Sequence, residues 1–423
     1  MPLVTASAGI TAIVITGQLV SGLGAAFILP NSLAVLGATF SDPHRRTEVI
    51  TVWVAASGIG LAVGPLLAGA LLNHFSWHAV FVSSTVLGLI TLLIAVPFVD
   101  ESRAPAERLD VVGALLGAVT IASLVYALIQ GGHEGYTDAR IITAWIVAGI
   151  GAVAFVVAER RVGTPMLDMR LFSSRSFSAV MVVAVVSLFG FTGVAVLMVL
   201  FYDTVQDLSA LATGVRAVTM FGVYVVVAFL TGRVIRRTGF KAPLTLGLLL
   251  GGIASLGLTT LDPGTPFTRA WPLLALFGAA CGLVAAPSTA AALVSVAPER
   301  AGMASGAVNT ARQVGSVMGT AVLGSLLTSR FVAQLPHQLE THGVPVDARA
   351  PIEAAVASGT ISATPLPSAV RAAIADAFAS GIHTALVVNA AVFFVTAVVA
   401  LAAVRNRPHQ NRAHLLTPST ASA

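Results

Sequence analysis

Eleven stretches of this 423-residue chain are apolar for about twenty residues or more, at roughly 10–36, 47–72, 78–99, 109–130, 140–158, 176–202, 211–232, 242–261, 271–296, 303–329 and 380–404. No single water-soluble core can hide that much apolar chain. In hydrocarbon each backbone N–H and C=O must find its partner within its own segment, so these stretches are expected to be helices. The composition agrees: 56% of residues are hydrophobic, mean hydropathy is +0.91 and 10% are charged, against about 25% in soluble domains. The expected fold is an all-α membrane protein of about eleven transmembrane helices.

Lys and Arg fall unevenly among the loops. One alternating set holds sixteen, among them Arg45, Arg46, Arg103, Arg160, Arg236 and Arg405, and the other holds six, among them Arg140, Arg216 and Arg349. The rule that basic loops stay inside then predicts a cytoplasmic C-terminus and, with an odd helix count, an N-terminus outside. The net charge of +5 is thereby explained by topology, and no nucleic-acid partner is implied. Cys281 is the single cysteine, expected as a small buried hydrophobe. No His/Cys cluster has metal-ligand spacing, no cofactor motif or Walker-type phosphate loop is present, and the first thirty residues lack a signal-peptide pattern.

Two distant stretches resemble each other. "GLGAAFILPNSLAVL", the loop "SDPHRRTE" and the helix "SGIGLAVGPLLAGALL" correspond to "GAACGLVAAPSTAAAL", "APER" and "ASGAVNTARQVGSVMGTAVLGSLL", with Pro30 matching Pro287. Parallel repeats of this kind mark transporters built from two equivalent halves. The expected organisation is an incomplete three-helix N-terminal bundle (1–99) and two inserted helices with their linkers (100–175). A six-helix C-terminal bundle (176–404) and a cytoplasmic tail (405–423) follow. A loosely structured outside loop is expected over 331–379, with "AVRAAIADAFASGI" able to form a short surface helix. Asp110 and Asp168 sit at helix approaches and are expected to cap helices.

Gly60, Gly64, Pro65 and Gly69 resemble the antiporter motif G-x-x-x-G-P-x-x-G-G, with Ala68 replacing one glycine. "SWHAVF", "RLDVVGALL", "GTPMLDMRLF" and "AGMASGAVNTARQVGSVMG" resemble further segments of the same group, the fourteen-spanning drug:proton antiporter branch (EmrB/QacA-type) of the major facilitator superfamily. The resemblance covers nearly the whole chain and implies proton-coupled export of amphipathic organic compounds or antibiotics by alternating access of two bundles. It implies no enzymatic activity, and a bacterial plasma-membrane location. Three features depart from the family pattern. The first three helices have no counterpart here, Gln18 and Ser21 stand where the fourth-helix motif has arginine and glutamine, and Arg236 stands where a loop motif commonly has Asp.

Small residues in lipid let backbones approach closely, so Gly60, Gly64, Pro65 and Gly69 are expected at a tight helix contact, where a bulky residue at Gly64 would impair function. Arg312, beside Asn309 and Gln313, is the one basic residue well inside a span and is the leading cargo or coupling candidate, because an intramembrane charge is costly and implies a partner. It is expected either to hold an anion or carboxylate, or to bond nearby carbonyl groups. Asn31 and Ser32 after Pro30, and Ser288 and Thr289 after Pro287, are candidates for cavity lining or for bonding to carbonyls beside a kink. Phe189, Phe191 and Phe221 could form an apolar cargo surface. Gln18 and Asp203 complete the candidates, Asp203 as a proton carrier at a helix end. The partners expected are a drug-like small molecule, protons and the bilayer, with the oligomeric state open. The alternative to an exporter is a truncated, non-transporting remnant or a membrane interaction protein.

Overall fold

The computed structural model describes residues 11–40, 42–98, 110–163, 165–296, 301–357 and 367–405. Within them the chain forms twelve α-helices and no strand: α1 (Thr11–Thr39), α2 (Pro43–His74), α3 (His78–Phe98), α4 (Val111–Glu134), α5 (Ala139–Arg161), α6 (Arg175–Leu200), α7 (Ala210–Thr238), α8 (Lys241–Leu258), α9 (Phe267–Val294), α10 (Ala301–Thr341), α11 (Val346–Ala357) and α12 (Ser368–Ala403). Ten of them are long and apolar enough to cross a membrane among the described residues, and the described apolar stretch of α1, Ile13–Ile28, is shorter. The expected all-helical membrane architecture is therefore present.

Helix starts follow local chemistry. Asp42, Asp110, Asp138 and Asp168 each place a carboxylate oxygen on a backbone N–H of the next turn, at Arg45 (2.9 Å), Gly113 (2.7 Å), Arg140 (2.8 Å) and Arg170 (2.9 Å). These N–H groups have no partner within their helices, and the caps supply one. Capping is the role expected of Asp110 and Asp168.

Packing is uneven. Helices α6 to α10 with α12 surround a continuous core, and α9 buries most of its apolar window, whereas the window of α3 buries none. Backbones meet where glycine removes the side chain. A Cβ on Gly315 or Gly319 of α10 would strike the carbonyls of Val185 and Phe189 on α6, and one on Gly278 of α9 would strike that of Met220 on α7. The most extensive helix pairing joins α2 to α7. A Cβ on Gly69 would lie 2.6 Å from the Ala210 oxygen, one on Gly214 2.9 Å from the Pro65 oxygen, and one on Gly58 2.7 Å from Tyr224 Cε1.

Gly60 and Gly64 are not at this seam: among the described residues nothing lies within 4 Å of a Cβ built on either. The reason is helical phase. Gly58, Pro65 and Gly69 share the face of α2 that meets α7, and Gly60 and Gly64 lie on the opposite face. In the repeat, Gly60 and Gly64 stand at the same constant spacing from Gly315 and Gly319, the two glycines of α10 that receive α6. The backbone of Pro30 lies within α1, and its side chain lies outside the described residues.

The segment expected to be loose is largely helical. α10 continues to Thr341, α11 follows, and α12 starts at Ser368, before the sequence "AVRAAIADAFASGI"; residues 358–366 lie outside the described residues. Leu335 and Leu339, one turn apart on α10, pack with Val370, Ala373 and Ala377 of α12 into a separate small core. Gly343, at φ 68°, ends α10, with the Val344 N–H returning to the Leu339 carbonyl (3.0 Å). His342 Nε2 lies 2.8 Å from Asp376 Oδ2 and ties the two helices. Local apolar spacing at i and i+4 outweighed the Pro, Gly and Thr content.

These contacts predict opposite effects for two matched substitutions. Gly319→Ala should destabilise the protein by about 1–3 kcal/mol through overpacking against a backbone that has no room to move. Gly64→Ala should be neutral, or stabilising by up to about 1 kcal/mol through helix propensity. Thermal unfolding of the two purified variants in detergent checks this, and equal losses would refute the assignment of faces.

Candidate functional site

The charge inside the bundle is Arg312, 8% exposed, on the stretch of α10 that faces α9. Placing arginine at the centre of a transmembrane helix costs about 2.5–3.5 kcal/mol on insertion scales. Its Nη2 donates to the Ala285 carbonyl at 2.6 Å, and the hydroxyls of Ser288 and Thr289 donate to the same oxygen at 3.0 and 3.2 Å. Ser288 and Thr289 bond back along their own helix at i−3 and i−4, and Arg312 reaches the same oxygen from α10; the carbonyl that loses its N–H partner to Pro287 is that of Leu283, four residues before it. Both expected roles of Ser288 and Thr289 were possible from sequence; the hydrogen bonds observed are those to the carbonyl.

Arg312 is not thereby satisfied. Among the described residues its Nε has no partner, and neither has Nδ2 of Asn309 or Oγ of Ser305. Spacings of four and three residues put Ser305, Asn309 and Arg312 on one face of α10, so three buried polar atoms with hydrogen to donate are aligned without acceptors. Among the described residues no carboxylate pairs with Arg312. Gln313, one residue on, is exposed.

An aromatic wall stands beside this row. Phe191 stacks on Tyr224 with ring centroids 4.7 Å apart and meets Phe221 edge-on at 5.4 Å. Tyr224 lies within electrostatic range of Arg312 and presses against Gly58 of α2. It therefore touches the α2–α7 seam and lies near Arg312. Phe189, Phe191 and Phe221 are all buried in the main core.

The other candidates sit elsewhere. Gln18 and Asn31 are exposed on α1, and Asn31 Nδ2 donates to the Phe27 carbonyl of its own helix at 2.8 Å. Ser32 accepts from Trp53 Nε1 (3.2 Å), linking α1 to α2. Asp203 is exposed on a π turn, Phe201–Val205, that closes α6. Beyond that turn Arg216 donates to Gln206 (2.6 Å) and lies over the rings of Tyr202 and Phe267 at 5.0 and 5.3 Å, an aromatic clamp on the α6–α7 connection. A separate cleft of about 290 Å³ lies between α4 and α10, lined by Ile129, Gly132, Leu200, Thr320, Gly324 and Ser325 among others. Cys281 is buried.

Sequence reasoning missed Tyr224 and Ser305. Ser305 carried a signal, since its spacing to Asn309 and Arg312 is helical. Tyr224 carried only its position away from the membrane interface where tyrosines usually collect.

Residues 1–320 match the Major Facilitator Superfamily. The chain is 33% identical over 332 residues to the "Multidrug resistance protein Stp" of Mycobacterium tuberculosis, a match covering 78% of this chain and 61% of that protein. It is 32% identical over 406 residues to the "Tetracenomycin C resistance and export protein" of Streptomyces glaucescens, covering 93% of this chain and 75% of that one. With the "Methylenomycin A resistance protein" of Streptomyces coelicolor it shares 29% identity over 318 residues, covering 74% and 66%. The chain thus spans about three-fifths of the length of Stp and just under two-thirds of the methylenomycin protein. This chain belongs to the Major Facilitator Superfamily, as a multi-span membrane protein.

Arg312 makes one hydrogen bond, to a carbonyl that two hydroxyls also satisfy, so removing its charge should leave the fold intact. Arg312→Met should keep or raise thermal stability in detergent, by up to about 4 kcal/mol, as when other buried charges are replaced by apolar groups of similar volume. A loss of several kcal/mol would make Arg312 a structural residue instead.

Proposed function

We propose that this chain exports amphipathic organic compounds, antibiotics among them, from a bacterial cell, and that proton exchange drives the export. The single observation that carries this reading is the row Ser305, Asn309 and Arg312. It is a buried line of unpartnered donors beside an aromatic wall, as a site for a part-polar, part-aromatic cargo requires. The relatives' printed roles in drug resistance and export support the same reading.

The mechanism is alternating access. A first bundle within residues 1–99 and a second within 176–404 rock about their shared seam, with the two inserted helices alongside. α2 and α7 form that seam through Gly58, Pro65, Gly69 and Gly214, where backbones touch without interlocking side chains and can slide. The basic loops put the C-terminus in the cytoplasm and the small helical cap of α10, α11 and α12 outside. Tyr224, in contact with the seam and near Arg312, is placed to report the relative position of the bundles to the cargo row.

Cells expressing the chain should accumulate less ethidium than control cells, and collapsing the proton gradient should erase the difference. Arg312→Met, folded as above, should reduce initial efflux at least tenfold, equivalent to about 1.4 kcal/mol of lost stabilisation. Equal ethidium accumulation with and without the protein would overturn the export reading. Full efflux by Arg312→Met would remove the cargo row from it.

A further inference from the structure

Capping the start of α4 occupies only one oxygen of Asp110. Oδ1 accepts the Gly113 N–H at 2.7 Å, while Oδ2 is buried and has no hydrogen-bond partner among the described residues. Facing it from the end of α5 is Glu159, 3% exposed. Glu159 Oε2 accepts the Leu167 N–H at 3.0 Å from the linker that leads to α6, and Oε1 is buried and unpartnered among the described residues. Asp110 Oδ2 and Glu159 Oε1 each lie 2.6 Å from the point where a Cβ on Gly113 would sit. The two free oxygens therefore approach within about 5 Å of each other, the range in which like charges suppress one another's ionisation. Glycine at 113 leaves the space between them open.

The surroundings offer no compensation among the described residues. On α5 the next two residues, Arg160 and Arg161, are exposed. In the linker Asp168 directs Oδ1 to the Arg170 N–H, and its own N–H meets the Met303 thioether of α10 at 3.1 Å. The only charged side chain acting on Glu159 among the described residues is Asp110 itself. Two carboxylates so placed, one of them out of water, set two like charges side by side with no opposite charge among the described residues to offset them.

We propose that Asp110 and Glu159 form a proton-binding site in the inserted helix pair, one proton bridging Oδ2 and Oε1, and that it supplies the coupling proton of the export reading on which this last step rests. The central spans hold no carboxylate for that task, and this pair does. Its position gives it a mechanical output. Glu159 holds the linker at Leu167, and the next residue, Asp168, touches α10 at Met303, two residues before Ser305. Loss of the shared proton leaves Asp110 and Glu159 both charged, so the carboxylates repel and the hold on the linker changes.

Infrared difference spectroscopy on the purified full chain tests the site without any transport step. The wild type should show the carbonyl stretch of a protonated carboxyl at neutral pH. The band should vanish in Glu159→Gln and in Asp110→Asn, a variant that can still cap α4, and should be unmoved by added sodium or magnesium. Absence of the band in the wild type, its persistence in both variants, or its removal by either cation would overturn the proposal, the last by making the pair a cation site. In ethidium efflux, both variants should lose the dependence of rate on external pH while Thr91→Ala, at an exposed position of α3, keeps it. A band with the expected behaviour but unaltered pH dependence would overturn the coupling role. Failure of wild-type efflux would instead count against export, with the band still deciding whether the proton is shared.

Discussion

Backbone-to-backbone approach at glycine governs this molecule. Between helices in hydrocarbon there is no water to expel, so packing area and close approach must hold them. Gly315 and Gly319 let α10 lie against the carbonyls of α6, Gly278 lets α9 lie against α7, and Gly69 with Gly214 lets α2 lie against α7. Each glycine carries a helix-propensity cost of about 1 kcal/mol against alanine, which the contact it permits must exceed. Remove that approach and the polar row of α10 no longer meets the aromatic wall of α6 and α7.

The same economy of side chains shapes the polar chemistry. Deep in the bundle, hydroxyls are directed to carbonyls: Ser288 and Thr289 to Ala285, Thr231 to Val227, and Ser255 to Gly251. Against that background the exceptions stand out. Among the described residues Arg312 Nε, Asn309 Nδ2 and Ser305 Oγ lack acceptors and Asp110 Oδ2 and Glu159 Oε1 lack donors, and single unpartnered atoms remain at Tyr202, Thr213, Thr245 and Asn389. A helical membrane protein leaves buried polar atoms unmatched at a cost of about 1–3 kcal/mol each, and only in these first two groups do such atoms gather on neighbouring residues. One group presents donors and the other acceptors, and the linker residue Asp168 joins their neighbourhoods through its contact with Met303 of α10.

How much could be read from sequence depended on the range of the interaction. Helix spans and caps are local, and the apolar runs together with Asp110 and Asp168 announced them. Intramembrane Arg312 announced itself by its cost. What depended on phase or on distant partners did not show. The glycine motif gave the right helix, but its phase puts Gly58 and Gly69 at the seam and Gly60 and Gly64 away from it. Residues 331–357 and 367–379 held enough turn-formers to look loose, yet Leu335, Leu339, Val370 and Ala377 sit at helical spacing and close a small core. Glu159 has no sequence signal of its own, because only the fold brings Asp110 to it.

The account depends most directly on α2 docking to α7 through the face that bears Gly58 and Gly69. A Cβ on Gly232 of α7 would lie 3.5 Å from the Cβ of Thr51 on α2, within the span of a disulfide. In membranes from a Cys281→Ala background, mild oxidation should cross-link Thr51→Cys with Gly232→Cys rapidly and nearly completely. A Gly64→Cys and Gly232→Cys pair should stay reduced. Failure of the first pair to link, or linking of the second in its place, would contradict the seam and the two-bundle arrangement built on it.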